Sequence, residues 1–254
     1  MWALDYNKDG SLFVSGSVDK SVVLWDGRKN SPASRFNAHT GKVYSARFNE
    51  SSSLIGTCGE GGQIFIWDVK QGKEPLRKIS VESLVAYDFE WSKNGAMFFV
   101  PTLGSMLVGF DAKSYAQVCF DFVTANDHES KCESVAANFN FINNRVFCGT
   151  SRGTIAWYEF TNNDFVKRTE YKAHMDSVRT VNYHPSRPIL LSSGRDGSVK
   201  LWDASDSKHH PKILGNLVGH KENVTGAAFI GNSKVVTGSW DQGLGLWNVD
   251  SLLP

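Results

Sequence analysis

His174, Ser192 and Asp196 together carry the side chains of a hydrolytic triad: an imidazole to take a proton, a hydroxyl to attack, and a carboxylate to orient the base. A serine nucleophile must also be lifted clear of its sheet by a strained elbow, and "ILLSSGRDG" around Ser192 is a buried run ending in a turn, with no such elbow. No residue is therefore assigned a catalytic role. His209 and His210 with Asp206 hold enough ligand atoms for a divalent ion, but "DASDSKHHPK" is polar and ends on proline, as a solvated loop does; His128 in "NDHESK" reads the same way. Cys58, Cys119, Cys132 and Cys148 are far apart, with no C-x-x-C pair, and are expected to be buried, reduced thiols; no metal site and no cofactor is assigned. "GEGG" at Gly59 lacks the spacing of a phosphate-binding loop and reads as a hairpin turn.

The elements that would position these groups repeat along the chain. "SGSVDKSVVLWD" from Ser15, "TCGEGGQIFIWD" from Thr57, "SSGRDGSVKLWD" from Ser192 and "TGSWDQGLGLWN" from Thr237 place Trp25, Trp67, Trp202 and Trp247 in one column. Two weaker copies, "TLGSMLVGFD" and "GTSRGTIAWYE", put Phe110 and Tyr158 in the same column. Six units result, at intervals of 42 to 48 residues. Each unit alternates short apolar runs with turn signals; in the fifth, "SVRTVNYH", "ILLSSG" and "SVKLWD" are separated by "PSRP" and by the Asp196-Gly197 hairpin. Three such strands cannot bury both faces alone, so like sheets must stack on one another.

With "AH" at His39 and His174 and "GH" at His220 ahead of these endings, the chain resembles the WD40 repeat family over nearly its whole length. The resemblance implies an all-β WD40 propeller of six recognisable repeats, in a single domain over residues 1–254. It also implies a structural relay linking His, Ser or Thr, Asp and Trp. The fifth unit supplies His174, Ser192, Asp196 and Trp202, and the sixth supplies His220, Thr237, Asp241 and Trp247. The first unit keeps Ser15, Asp19 and Trp25 without the His; the second keeps His39, Thr57 and Trp67, with Gly61 where the Asp belongs. Met1 falls on the first-strand valine position, and little follows Trp247. Either six units close imperfectly, or a partner or an upstream segment completes six or seven, and the open last unit invites strand addition.

Function in this family is expected on the loops of the rigid fold. The positions flanking the first-strand valine and preceding the turn Asp are Trp2, Lys42, Tyr44, Glu60, Arg179, Arg195 and Trp240, together with Ser177, Asn223 and Thr225. Trp, Tyr and Arg dominate interface hot spots, so these residues are expected to form a partner-binding top face. The expectation is a non-catalytic scaffold, a subunit of a multiprotein complex. Two alternatives accompany it. "WDGR" resembles the W-D-x-R box of cullin-type ubiquitin ligase receptors, with Arg28 as the adaptor contact. The other is an RNA- or ribonucleoprotein-associated subunit, although 27 Lys and Arg against 26 Asp and Glu leave no long-range field to draw nucleic acid in directly. With no apolar run of membrane-spanning length and no leader-like start, membrane insertion is not expected and an intracellular protein, cytoplasmic or nuclear, is.

Overall fold

In the computed structural model, residues 1–29, 31–71, 73–122, 131–139, 144–161, 164–206 and 209–253 are described; His128 lies outside them. The chain is all-β, with short strands paired antiparallel to their neighbours in chain order. The first sheet holds β1 (Ala3–Tyr6), β2 (Leu12–Gly16), β3 (Val22–Asp26) and β4 (Ser31–Phe36), and the second β5 (Val43–Phe48), β6 (Leu54–Gly59), β7 (Gln63–Asp68) and β8 (Arg77–Ser80). The third holds β9 (Glu90–Trp91), β10 (Met97–Pro101), β11 (Met106–Asp111) and β12 (Gln117–Phe122). β13 (Cys132–Phe139), β14 (Asn144–Thr150), β15 (Thr154–Thr161) and β16 (Asp164–Lys172) make the fourth, and β17 (Val178–Tyr183), β18 (Ile189–Gly194), β19 (Val199–Asp203) and β20 (Lys212–Leu217) the fifth. The sixth contains three strands among the described residues: β21 (Val224–Ile230), β22 (Lys234–Ser239) and β23 (Leu244–Asn248). The first three sheets form one compact unit, Met1–Phe122, and the last three another, Val123–Pro254.

Most sheets bury apolar side chains from both faces, so the core lies between sheets, whereas the sixth does so on one face, through Ala227 and Val235. Val22, Leu24 and Val14 of the first sheet pack on Val43, Ala46, Phe48 and Ile55 of the second. Ile189, Leu191, Val199 and Leu201 of the fifth pack on Val224, Ala227 and Val235 of the sixth. The aromatic column is one structural position: Trp25, Trp67, Phe110, Tyr158, Trp202 and Trp247 face Phe13, Ile55, Phe98, Val146, Leu190 and Val235 across the same hairpin. In the first, third, fourth and fifth sheets the pairing with the outer strand slips at this residue, because a large ring is followed by one extra residue on one side. That slip places Tyr158, rather than Trp157, in the column.

A second bulge heads the inner strand. It falls between Val43 and Ser45, Cys132 and Ser134, Val178 and Thr180, and Val224 and Gly226. Tyr44, Glu133, Arg179 and Thr225 are the extra residues.

The expectation of four reduced thiols is corrected for two of them. Cys132 and Cys148 are joined by a disulfide between β13 and β14, while Cys58 and Cys119 are free. Cys148 stands ten residues before Tyr158, as Ser15, Thr57, Ser192 and Thr237 stand ten before their tryptophans. The fourth sheet thus has a covalent link where the first, second, fifth and sixth have a hydroxyl and the third has Val100. Fifteen residues between the two cysteines give no cue in sequence, since their proximity depends on strand register across a bulge.

In the first unit a charged cluster joins three sheets. Arg47 of β5 lies 3.5 Å from Asp88 and 3.9 Å from Glu90, and the neighbouring Asp5 of β1 accepts the Phe48 N–H at 2.8 Å. The Arg47 carbonyl accepts the Trp91 indole N–H at 3.2 Å. Burial pushes the Glu90 carboxyl up to about 8, against the pull of Arg47 and with the help of Asp88 and Asp5. Asp5 is raised for the same first reason.

Candidate functional site

The triad-like residues of the fifth sheet form a chain of hydrogen bonds. Trp202 Nε1–H donates to Ser192 Oγ at 2.9 Å, Ser192 Oγ and His174 Nε2 are 2.7 Å apart, and His174 Nδ1 lies 3.1 Å from Asp196 Oδ1 and 2.8 Å from Ser198 Oγ. A single neutral tautomer satisfies the series, with the hydroxyl donating to Nε2 and Nδ1–H donating onward. Ser192 and His174 are buried, and the hydroxyl is spoken for on both sides, so it is in no position to attack a substrate. Burial lowers the His174 pKa, with Asp196 opposing. Burial raises the Asp196 carboxyl, but bonds from the Ser198 hydroxyl and the Met175 and Ser198 N–H groups outweigh it and hold it low. A Cβ at Gly194 would sit 2.5 Å from both Asp196 Oδ1 and His174 Nδ1, so only glycine lets the relay pack against the strand. Gly197, at φ +77°, makes the hairpin.

The sixth sheet repeats the pattern: Trp247 Nε1 to Thr237 Oγ1 at 2.9 Å, His220 Nε2 to Thr237 Oγ1 at 2.7 Å, and His220 Nδ1 to Asp241 Oδ2 at 2.9 Å. In the second sheet His39 Nε2 reaches Thr57 at 2.8 Å and Trp67 donates to the same hydroxyl at 2.9 Å. Its Nδ1 is buried without a partner, because Gly61 supplies no carboxylate. Burial accordingly drives the His39 pKa down to about 4.

A G-x-S-x-G spacing does occur at Gly149 to Gly153, unnoticed beside Ser192. It forms the tight hairpin between β14 and β15, where Ser151 Oγ accepts the Lys131 N–H at 2.9 Å, and a strand follows it, so it is no nucleophile elbow. His209 is exposed and bonded to Asp206 at 2.8 Å. No group of three or more His, Cys, Asp or Glu suited to a metal ion occurs among the described residues.

The rim residues divide between the units. In the first, Trp2 is 63% exposed and meets Tyr44 edge-on, with ring centroids 5.7 Å apart. Tyr44 in turn lies 5.8 Å from Tyr87. Tyr87 was not identified from sequence. Its N–H bonds Pro101 O at 2.9 Å as the Trp2 N–H bonds Gly16 O at 2.9 Å, so both occupy the bulge position of their sheets. Matching "VAYDFEW" to "KVYSARF" gives the same assignment. Beside this row Lys42 Nζ pairs with Glu60 at 2.9 Å, and Tyr44 OH donates to Glu60 at 3.3 Å. The bond from Lys42 holds the Glu60 carboxyl below its ordinary value, and Glu60 raises Lys42.

In the second unit Arg179 bonds Glu133 at 2.8 Å, Ser177 Oγ bonds the same carboxylate oxygen at 2.6 Å, and Arg195 lies 3.7 Å from Asp176. Trp240 is 61% exposed, and its N–H bonds Asn223 O at 2.9 Å. The Asn223 side chain is buried, with both amide atoms unpaired. Arg28 is exposed in the turn after β3, at the end of the first sheet away from Trp2; its N–H bonds Asp26 at 2.9 Å.

The family description "WD domain, G-beta repeat" matches residues 1–26, 30–68, 165–203 and 211–248, more than half of the chain. Eukaryotic translation initiation factor 3 subunit I of Schizosaccharomyces pombe is 21% identical over 213 residues, covering 79% of this chain and 62% of that protein. The Emericella nidulans protein of the same name is 19% identical over 210 residues, covering 79% and 61%. Methylosome protein WDR77 of Xenopus laevis is 25% identical over 236 residues, covering 92% of this chain and 55% of its own length. The chain spans about three fifths of the length of the relatives it matches.

Proposed function

Since the chain belongs to the WD40, G-beta repeat family, we propose that it is a non-catalytic scaffold of a multiprotein complex that binds protein partners through its sheet rims. One observation carries this: Trp2, Tyr44 and Tyr87 form a continuous aromatic row at bulge positions, outside the core alternation, with Trp2 exposed at its end. The unpaired Asn223 amide under Trp240 supports a second contact point, since a buried amide without partners is costly until something bonds it. Relatives named as a translation initiation factor subunit and a methylosome protein support the complex-subunit reading and an intracellular setting. In both relays the imidazole and hydroxyl are fully engaged, which favours structure over chemistry.

The test is to identify proteins that co-purify with the chain and then repeat the capture with variants. Trp2→Ala with Tyr44→Ala should lower capture by ~30-fold or more, the loss of a hot spot worth about 2 kcal/mol. Thermal unfolding should shift by no more than about 2 °C, because Trp2 buries little. Arg28→Ala, at the other end of the first sheet, should leave capture unchanged. Undiminished capture by the double variant would overturn the rim reading; loss of capture by Arg28→Ala would favour an adaptor contact there instead.

A further inference from the structure

Three buried donors stand on one face of the fourth sheet where its sister sheets carry only carbon. Arg145 of β14, Trp157 of β15 and Tyr171 of β16 are linked by register. Trp157 pairs with Phe147, two residues from Arg145, and Tyr171 pairs with Ile155, two residues from Trp157. Residues two apart on a strand share a face. At the same three positions, counted from the aromatic column, the first sheet has Leu12, Leu24 and Phe36, the second Leu54, Ile66 and Ile79, and the fifth Ile189, Leu201 and Leu217. All of these pack in apolar clusters.

The exchange leaves the donors without acceptors. Arg145 is 1% exposed, and its Nη1 donates to the carbonyl of Ala204, just past β19, at 2.6 Å. Its Nε and Nη2 are buried without a hydrogen-bond partner, as are the Trp157 indole N–H and the Tyr171 hydroxyl. Glu159 stands opposite Arg145 across the strand pair, but Arg168 holds it through its own Nε and Nη2. Among the described residues no carboxylate forms an ion pair with Arg145; its guanidinium meets the Trp157 ring instead, 5.1 Å from Cζ to the centroid. A buried guanidinium needs a counter-charge, and the described residues supply none. Tyr171 packs edge-on against Trp202, with ring centroids 5.4 Å apart, and lies 5.4 Å from His210, which is exposed. The donors therefore line the seam between the fourth and fifth sheets, from Ala204 to the surface at His210. Burial pushes the Tyr171 phenol up, so it keeps its proton and stays a donor.

We propose that this seam is a carboxylate-binding site, in which the free Nε–Nη2 edge of Arg145 takes both oxygens and the Trp157 N–H and Tyr171 O–H are further donors. The ligand class follows from the donors. Every unpaired group is a donor, so the ligand must be an acceptor, and the two-pronged edge of a guanidinium matches a planar carboxylate. One buried cation is balanced by a monoanion, whereas a phosphate dianion would leave a charge uncompensated in the seam. Arg145 pairs with Asn138 near the far end of β13 from Glu133, so the site is separate from the rim contact between Glu133 and Arg179. The carboxylate is carried by a small free acid or by an acidic side chain of a protein partner.

Sodium formate, compared with sodium chloride at equal ionic strength, should raise the unfolding temperature of the chain saturably, by about 3 °C or more. Arg145→Leu, which restores the side-chain type of the sister sheets, should abolish the formate effect and, with the buried charge gone, unfold no lower than the parent in chloride. Arg145→Lys keeps the charge but loses the fork, and should weaken formate binding by about 10-fold or more. Tyr171→Phe removes one donor and should weaken it by about 5-fold. N-acetyl-glutamate amide separates the two sources: protection matching that by formate gives the site to a partner's acidic side chain, and protection by formate alone gives it to a small free acid. A formate effect no larger than that of chloride, or one that survives Arg145→Leu, overturns the proposal. So does a larger effect of inorganic phosphate than of formate, which would make the ligand a phosphate.

Discussion

Ser192→Ala should destabilise the second unit by about 3 kcal/mol, more than most changes of a single atom can. The hydroxyl is the shared vertex of the fifth-sheet relay, accepting the Trp202 indole N–H and bonding His174 Nε2. Its removal strands two buried polar groups at once, each costing ~1 to 3 kcal/mol, with no room for water to replace it at a fully buried position. Ser15→Ala in the first sheet removes one bond only, to a Trp25 that is partly exposed and has no His in its series, and should cost about 1 kcal/mol. Thermal unfolding of the two variants side by side checks the contrast. Equal, small losses would mean that the relay adds nothing beyond its separate bonds.

Arg47→Met should destabilise the first unit by about 2 to 3 kcal/mol and should change how its stability depends on pH. Removing one partner of a buried ion cluster typically costs about 3 to 5 kcal/mol. The lower figure applies because the Arg47 and Glu90 side chains each keep about a third of their surface, at 33% and 32%, in contact with solvent that screens them. Glu90 titrates higher folded than unfolded, so the folded state holds a proton that the unfolded state has released. Its contribution is fully present below about pH 4.5, declines as pH rises and is gone above about pH 8. His39 works the other way, its depressed folded pKa of about 4 making stability rise between about pH 4 and 6.5. Above pH 6.5 His39 is neutral in both states, so a decline in unfolding temperature from pH 6.5 to 8 isolates Glu90. Glu90→Gln should remove that decline and Arg47→Met should extend it to higher pH. A flat profile in the parent chain would show Glu90 to be an ordinary surface carboxylate.

The repeat, its column and both complete relays were legible because each depends on residue type at fixed spacing within one hairpin. Gly61, visible in sequence in place of an Asp, is what leaves the His39 Nδ1 unpaired. What could not be read depends on contacts between sheets. "VYSARF" looks like an ordinary alternating strand, yet Arg47 is enclosed by Asp5, Asp88 and Glu90, each about 40 residues away, and nothing local marks it. Tyr87 was hidden because the third repeat has lost its Trp and its turn Asp, leaving no landmark from which to count. The Cys132–Cys148 bond was invisible for a related reason: the bulge beside Cys132 shifts its register by one residue, and a side chain's neighbour across a hairpin changes with every such shift.

The extra residue at the head of β5, β13, β17 and β21 separates two jobs that a plain strand would entangle. Along an unbroken strand, exchanging one side chain alters whichever face it shares with its next-but-one neighbours. Tyr44, Glu133, Arg179 and Thr225 sit outside that parity, and a tyrosine, an acid, a base and a hydroxyl are all accommodated at the same spot. The vocabulary of the rim is therefore free to be rewritten one letter at a time, whereas losing the letter itself would turn the rest of its strand inside out.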